Sequence, residues 1–188
     1  EGDGENGTVP IAAGNKQRDL IRVAGKGGAA ERKGGVEITD EYVPVGARTF
    51  TVADASGLKA GDKVIVRREG NAAWIHFIKM DQIAGRPGHE SSTKQWQPFD
   101  LPFDRVVTRV EGNKVTVDAP IVCAIERRWG GGSVSHYDDP GRIERVGVEG
   151  IRGDSEYDPS VKAKEKGKEY ASDENHAMYL VAFDDVKD

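Results

Sequence analysis

Short stretches in which apolar and polar residues alternate run along most of the chain, and glycine-rich segments separate them. A period of two, with many β-branched residues, predicts half-buried β-strands. The clearest example is RVVTRVEGNKVTVDAPIV, where two such runs flank Gly112 and Asn113, so the pattern predicts a β-hairpin over 105–122. Gly61 and Asp62 form another turn signal, directly before the strongly β-forming run VIV. These patterns favour an all-β fold class.

One segment has a helical period instead. In NAAWIHFIKMDQIA, Trp74 and Ile78 lie on one side of a helix, and Asn71 is suited to cap its N-terminus. Gly85 and Pro87 follow as stop signals. The sequence therefore predicts a single short helix over 71–84.

Composition excludes several classes of protein. The chain has 188 residues, and 27 Lys and Arg against 32 Asp and Glu give a formal net charge of −5. A mildly acidic chain lacks the basic surface of a nucleic-acid binder, so no nucleic-acid partner is expected. The longest apolar runs fall far below the roughly 20 residues of a membrane span. A single cysteine, Cys123, rules out an intrachain disulfide.

The character of the chain changes along its length, and three regions are predicted. A Gly-rich segment with the first strands covers 1–35, a β-rich subdomain covers 36–126, and further strands cover 127–188 with a polar insertion at 155–175. In the last region, IERVGVEGIRG and MYLVAFDDVKD share an apolar pattern. They begin about 36 residues apart, which suits successive turns of a β-solenoid with a loop insertion.

Several of these segments carry a resemblance to a known family. RIERVGVEGIRG and DENHAMYLVAFDDVKD resemble early coils of the pectate-lyase-like right-handed parallel β-helix superfamily. ARTFTVADASGLKAGDKVIVRR, the predicted helix and the predicted hairpin are similar to a small β-rich subdomain that interrupts the start of the β-helix in some members. In pieces, the resemblance covers roughly residues 35–188.

The resemblance implies both a fold and a function. The fold is the start of a right-handed parallel β-helix, interrupted by a small β-rich subdomain with one short helix. The function is that of an exported protein, extracellular or periplasmic, that binds or cleaves polysaccharide as a lyase or glycoside hydrolase. Two alternatives from other classes stay open. One is a non-catalytic glycan-binding or surface-structural module, and the other is an assembly subunit that stacks on a neighbour.

Only about two coils are visible, whereas three or more repeats are normally needed to close a solenoid core. We therefore expect this chain to be the N-terminal portion of a longer β-helix, with most of any active site outside it. The alternative expectation is a partner contact that covers the open C-terminal end of the solenoid.

The segment RRWGGGSVSHY contains the residue types that a site for an acidic sugar requires. Arg127 and Arg128 could grip a carboxylate, and Trp129 could stack on a sugar face. His136 and Tyr137 could move a proton, as a lyase requires. The competing interpretation is an ordered connector between the subdomain and the solenoid.

His176, in the entry SDENHA to the last strand, is a further candidate for substrate binding. The competing role is structural, in which polar side chains satisfy backbone groups at a corner. The histidines are isolated, so no transition-metal site is expected. The acid pairs Asp138-Asp139 and Asp173-Glu174 could bind Ca²⁺, but adjacent acids in loops are usually solvated, and we expect no cofactor.

Overall fold

The computed structural model describes residues 2–4, 6–85, 87–88 and 93–187. The chain forms two compact units. The central unit comprises residues 29–138, and the terminal unit comprises residues 1–28 together with 139–188. The division therefore falls after residues 28 and 138, whereas the sequence predicts region boundaries after 35 and 126.

The regular secondary structure of the described residues is almost entirely β-strand, with one short α-helix and a 3₁₀ turn, which confirms the all-β class. The strands of the central unit are β3 (Ala30–Glu31), β4 (Val36–Glu37), β5 (Tyr42–Val43), β6 (Thr49–Thr51), β7 (Lys63–Arg68), β8 (Leu101–Glu111), β9 (Lys114–Val117), β10 (Ile125–Glu126) and β11 (Gly132–Asp138), and its helix is α1 (Ala72–Phe77). Those of the terminal unit are β1 (Ile11–Ala12), β2 (Arg18–Ala24), β12 (Ile143–Glu144), β13 (Asp154–Ser155), β14 (Lys162–Glu165), β15 (Lys168–Ala171), β16 (Ala177–Asp184) and β17 (Val186–Lys187).

A seven-stranded sheet organises the central unit, with strand order β3-β11-β7-β8-β9-β6 and β4 also paired to β11. All its pairings are antiparallel. The two-residue turn Gly112–Asn113 joins β8 to β9, and Gly112 adopts a positive φ of 56°, which glycine tolerates without steric cost. The small additional sheet β5–β10 is antiparallel as well.

A single apolar cluster holds the central unit together. It takes alternate residues from β7, β9 and their neighbours, as the period of two requires. Its buried members are Ile38, Val43, Phe50, Val52, Ala55, Leu58, Val64, Val66, Val107, Val115, Val117, Ile121, Ile125 and Val134.

Helix α1 begins where the sequence predicts but ends earlier than residue 84. The side chain of Asn71 accepts a hydrogen bond from the backbone N–H of Trp74 at 2.8 Å, which caps the N-terminus. At the other end, Lys79 adopts a left-handed φ of 60°, and the N–H of Met80 donates to the carbonyl of Ile75. This is a Schellman ending formed without glycine. The helix therefore ends before Gly85 and Pro87, and these two residues do not mark its end.

The terminal unit contains three parallel strand pairs. They are β1 with β13, β2 with β16, and β12 with β17. The first members of these pairs occur along the chain in the order β1, β2, β12, and their partners occur in the matching order β13, β16, β17. Among the described residues, the two segments that share an apolar pattern pair only where the first begins and the second ends, with Ile143 beside Val186, because most of β16 pairs with β2 instead.

The antiparallel hairpin β14–β15 lies between β13 and β16 in the sequence, within the range predicted as a polar insertion. Several large apolar side chains of the terminal unit are exposed, among them Ile11, Met178, Tyr179, Leu180 and Phe183. No helix among the described residues is long and apolar enough to span a bilayer.

Candidate functional site

Five aromatic side chains gather around helix α1 in the central unit, and we call them the aromatic surface: Trp74, Phe77, Trp96, Phe99 and Trp129. Trp74 and Phe77 are three residues apart on the helix, so they are neighbours on its surface. The other three come from the loop before β8 and from the 3₁₀ turn Arg127–Trp129. Phe77 is 63% exposed, Phe99 41% and Trp96 38%. All three tryptophans of the chain lie here.

Three of these rings form one cluster. Trp74 lies 6.5 Å from Trp96 and 6.4 Å from Phe99, and Trp96 lies 5.4 Å from Phe99, all between ring centroids. The guanidinium of Arg68 stacks on Trp74 at 4.0 Å from its centroid, a cation–π contact. Arg68 is only 2% exposed, and its Nη1 is buried without a hydrogen-bond partner in the described structure. The arginine therefore supports Trp74 from the protein side.

Hydrogen bonds hold Trp96 beside the end of the helix. Its backbone N–H donates to the carbonyl of Met80 at 3.0 Å. The preceding side chain, Gln95, accepts from the N–H of Ile83 at 2.8 Å and donates to the carbonyl of the same residue at 2.9 Å. The early end of α1 is what turns Met80 and Ile83 toward this loop.

Phe99 is placed by a close backbone approach at Gly70. A Cβ atom on Gly70 would lie 1.9 Å from the carbonyl oxygen of Phe99, so only glycine fits. The N–H of Gly70 donates to Oδ1 of Asp100 at 3.0 Å, and Arg67 donates to Oδ2 at 2.9 Å. That N–H donor, together with Arg67, holds the pKa of the Asp100 carboxyl below its ordinary value, although partial burial opposes the shift.

The remaining two rings form a second cluster. Phe77 and Trp129 lie 5.0 Å apart between centroids, with their planes inclined by 40°. The guanidinium of Arg128 lies 5.1 Å from the Trp129 centroid and pairs with Glu126 at 2.7 Å. Gly130 ends the 3₁₀ turn with a left-handed φ of 99°, which returns the chain to β11.

Of the residues predicted from RRWGGGSVSHY, Arg128 and Trp129 lie at the aromatic surface. Arg127 is directed elsewhere, because it pairs with Glu41 at 3.5 Å and with Glu37 at 3.9 Å. His136 and Tyr137 lie on β11, on adjacent positions of the strand, so their side chains leave opposite faces of the sheet.

His136 and Tyr137 both have roles within the fold. Nε2 of His136 lies 3.1 Å from Oδ2 of Asp62. Burial opposes ionisation of Asp62, but hydrogen bonds from His136 and from the N–H of Lys59 outweigh it and lower the pKa of this carboxyl. Tyr137 is only 4% exposed, so its ring packs in the interior.

His176 belongs to the terminal unit. Its Nδ1 lies 2.8 Å from the carbonyl oxygen of Ala177, and the side chain lines a cavity of about 270 Å³ with Tyr157 and Asp173. A ring nitrogen hydrogen-bonded to a carbonyl carries the proton, so Nδ1–H is the donor here.

Asp173 lies three residues before His176, in the segment SDENHA, and it orders the backbone around it. Its Oδ2 accepts from the N–H of Asp158 at 2.7 Å and its Oδ1 from the N–H of Asn175 at 2.9 Å. These two donors hold the pKa of Asp173 below its ordinary value. Among the residues that the structure describes, no group of three or more His, Cys, Asp or Glu side chains is arranged to hold a metal ion.

Sequence reasoning missed most of the aromatic surface. The helical period places Trp74 on the apolar side of the predicted helix and gives Phe77, Trp96 and Phe99 no role. A signal was present, since all three tryptophans fall within 56 positions that also contain phenylalanines. The spacing of the three tryptophans follows neither a helical nor a strand period, so no local pattern unites them.

No protein-family model matches the chain, and no curated protein sequence matches it significantly. Its fold is similar to parts of solved phage tailspikes. The gp54 tailspike of Acinetobacter baumannii bacteriophage AP22, solved in complex with A. baumannii capsular saccharide, is 12% identical with a TM-score of 0.35, and the match covers 72% of this chain and 19% of that one.

Two further tailspikes give similar values. The gp49 tailspike of Pseudomonas phage LKA1 is 16% identical with a TM-score of 0.34, and the gp61 tailspike of Pseudomonas phage phi297 is 23% identical with a TM-score of 0.36. Each match covers 81% of this chain and 20% of the tailspike. The chain thus spans about a fifth of the length of these proteins.

Proposed function

We propose that this chain binds polysaccharide through the aromatic surface of the central unit. The observation that carries the proposal is the exposure of Phe77, Trp96 and Phe99 on a scaffold that fixes each ring with backbone hydrogen bonds or ring contacts. Exposed apolar side chains that cluster on one surface mark a binding site more often than scattered ones do.

The chemistry of the surface suits sugars. One face of a pyranose ring carries mainly C–H groups, and a flat aromatic ring can cover that face and remove it from water. The hydroxyl groups stay at the edge of the sugar, where Arg128 and Glu126 offer a donor and an acceptor. Rigid rings and a few polar groups at their border are the usual composition of a small-ligand site.

We propose further that the terminal unit is the start of a right-handed parallel β-helix of the pectate-lyase-like kind. In two successive turns of a solenoid, each strand of the first turn pairs in parallel with the matching strand of the second. Strands β1, β2 and β12 would form the first turn and β13, β16 and β17 the second, with the central unit inserted between β2 and β12. A protein of this kind that acts on polysaccharide would be exported. A contact over the exposed apolar residues of β16 would complete the solenoid core.

The parallel register of β2 and β16 can be tested by cross-linking. Ile21 pairs with Val181, and neighbouring Cβ atoms at one register position lie close enough for a disulfide. In a Cys123→Ser background, the pair Ile21→Cys and Val181→Cys should oxidise readily. Leu20→Cys with Val181→Cys should not, since adjacent side chains leave opposite faces of a strand. Equal oxidation of both pairs would contradict the register.

The binding proposal is tested by titrating the chain with polysaccharides and following tryptophan fluorescence and calorimetry. The triple variant Phe77→Ala, Trp96→Ala and Phe99→Ala should lose binding, whereas Tyr170→Ala, which removes an exposed aromatic ring of the terminal unit, should retain it. New unsaturated or reducing ends in the same mixtures would report cleavage by a lyase or a hydrolase. Equal affinity of the triple variant and the wild type would overturn the proposal.

A further inference from the structure

The two ring clusters of the aromatic surface are separate stacking positions. Trp74, Trp96 and Phe99 contact one another, and Phe77 contacts Trp129, but among the described residues no ring of one cluster packs against a ring of the other. Helix α1 connects the clusters, because Trp74 and Phe77 are three residues apart on it. Their Cβ atoms are therefore about 5–6 Å apart, and each cluster extends outward from its helical residue.

The clusters differ in the charge that they offer to a ligand. At the first cluster, Arg68 is buried behind Trp74, and Arg67 is already paired with both Glu31 and Asp100. At the second, the side chain of Arg128 is 66% exposed and has one carboxylate partner. The second cluster therefore combines an exposed ring, Phe77, with a cation that solvent can reach.

The partner of Arg128 does not prevent this cation from binding a ligand. Both of its contacts, through Nε and Nη2, go to the same oxygen of Glu126 at 2.7 Å. The Arg128 side chain is 66% exposed, so water competes for its N–H groups and limits the strength of this pair, although the side chain of Glu126 is only 23% exposed. A carboxylate carried by a stacked sugar could therefore share or replace Glu126 and receive the paired N–H groups of the guanidinium.

From this difference we infer that the ligand is an acidic polysaccharide bound through at least two sugar units. The acidic unit stacks on the Phe77–Trp129 cluster with its carboxylate on Arg128, and a further unit of the same chain stacks on the Trp96–Phe99 cluster. This inference rests on the proposed function and adds to it the charge of the ligand, its orientation and its minimum length.

The test uses a panel of carboxylated polysaccharides, namely polygalacturonate, alginate and hyaluronate, together with their size-graded oligosaccharides and carboxyl-reduced forms. Binding to the wild-type chain is measured by calorimetry and tryptophan fluorescence. Affinity should rise steeply once the oligosaccharide is long enough to span both clusters, and it should fall when salt is added, since exposed charges are screened.

Variants separate the contributions. Trp129→Ala and Trp96→Ala should each weaken binding about tenfold, and oligosaccharides too short to span both clusters should lose sensitivity to one of the two changes. Arg128→Gln should weaken binding of the carboxylated polymer about fivefold without affecting the carboxyl-reduced polymer, and Arg128→Lys should recover part of the loss. Arg109→Gln, a matched change at another exposed arginine, should have no effect.

The outcomes distinguish this inference from the proposed function. The inference is overturned if neither carboxyl reduction nor Arg128→Gln changes the affinity. It is also overturned if binding depends on only one cluster at every oligosaccharide length. Either result leaves the proposed function intact. If the wild type binds no member of the panel more tightly than the triple aromatic variant does, the inference and the function both fail.

Discussion

Gly70 is the point at which a single added methyl group should disturb both the fold and the aromatic surface. A Cβ atom at this position would lie 1.9 Å from the carbonyl oxygen of Phe99 and 2.4 Å from its carbonyl carbon, whereas ordinary contacts begin near 3.4 Å. The substitution Gly70→Ala must therefore push two backbone segments apart by about 1.5 Å. Backbone atoms cannot relieve such a contact by changing rotamer, as a side chain could.

The size of the effect follows from what that displacement breaks. Overpacking of this kind costs about 1–3 kcal/mol, and separation of the N–H of Gly70 from the carboxylate of Asp100, 3.0 Å away, adds about 1 kcal/mol. We expect the central unit to lose about 2–4 kcal/mol of unfolding free energy. For a unit of 110 residues this lowers the midpoint of thermal unfolding by about 8–16 °C.

The measurement is thermal unfolding followed by circular dichroism, together with the emission spectrum of the folded protein. All three tryptophans lie at the aromatic surface, so a displaced Phe99 loop should change their emission. Gly57→Ala is the matched control, since a Cβ atom there meets no atom within 4 Å and its φ is ordinary. A Gly70→Ala protein that melts within about 2 °C of the control, with unchanged emission, would refute the close backbone approach.

Three further predictions concern the helix cap, the core and an ionised loop. Asn71→Ala removes the acceptor of the capping hydrogen bond and should cost about 0.5–2 kcal/mol, whereas Asn71→Asp should retain the cap, as urea unfolding would show. Ile121→Ala should cost about 2–5 kcal/mol because Ile121 is fully buried, while the neighbouring Val122→Ala, at a position 63% exposed, should change stability by about 0.5 kcal/mol or less. The pKa of Asp173 is lowered in the folded state, so its ionised form stabilises the terminal unit above the unfolded pKa of about 3.9, and this stability is lost as the pH falls through the folded pKa. Asp173→Asn, in which only one oxygen remains for two N–H donors, should accelerate amide exchange of the adjacent loop and remove this dependence on pH.

Each of these expectations has an outcome that contradicts it. Equal stability of Asn71→Ala and Asn71→Asp would show that the side-chain hydrogen bond contributes nothing. Similar losses at Ile121 and Val122 would contradict the burial difference between them. If Asp173→Asn leaves the acid transition of the terminal unit unaltered, that transition is caused by other carboxylates.

The strands of the central unit could be predicted because their signals are local. Alternation in VTRVEGNKVTV and the turn at Gly61-Asp62 specify strand and turn within a few residues, and the structure places β7, β8 and β9 there. The end of α1 could not be predicted, since Lys79 adopts the left-handed conformation that glycine or asparagine usually adopts.

The pairing of strands in the terminal unit could not be predicted from the sequence. A strand pattern such as LIRVA indicates which face is apolar but carries no information about the strand that will lie beside it. β2 pairs with β16 across an intervening segment that contains the whole central unit. Likewise the aromatic surface is assembled by a helix end, a glycine contact and a 3₁₀ turn, none of which leaves a periodic trace in the sequence.

The distance along the chain between β2 and β16 has a consequence for biosynthesis. Ile21 pairs with Val181, which leaves the ribosome 160 residues later. At 5–20 residues per second, the first strand waits about 8–32 s for its partner, and the central unit can fold completely in that interval. During this time β2 is an unpaired strand that carries Leu20, Ile21 and Val23, and it is open to pairing with other chains. The nascent chain is therefore open to aggregation through β2 until β16 has been made, and slower translation would prolong that risk.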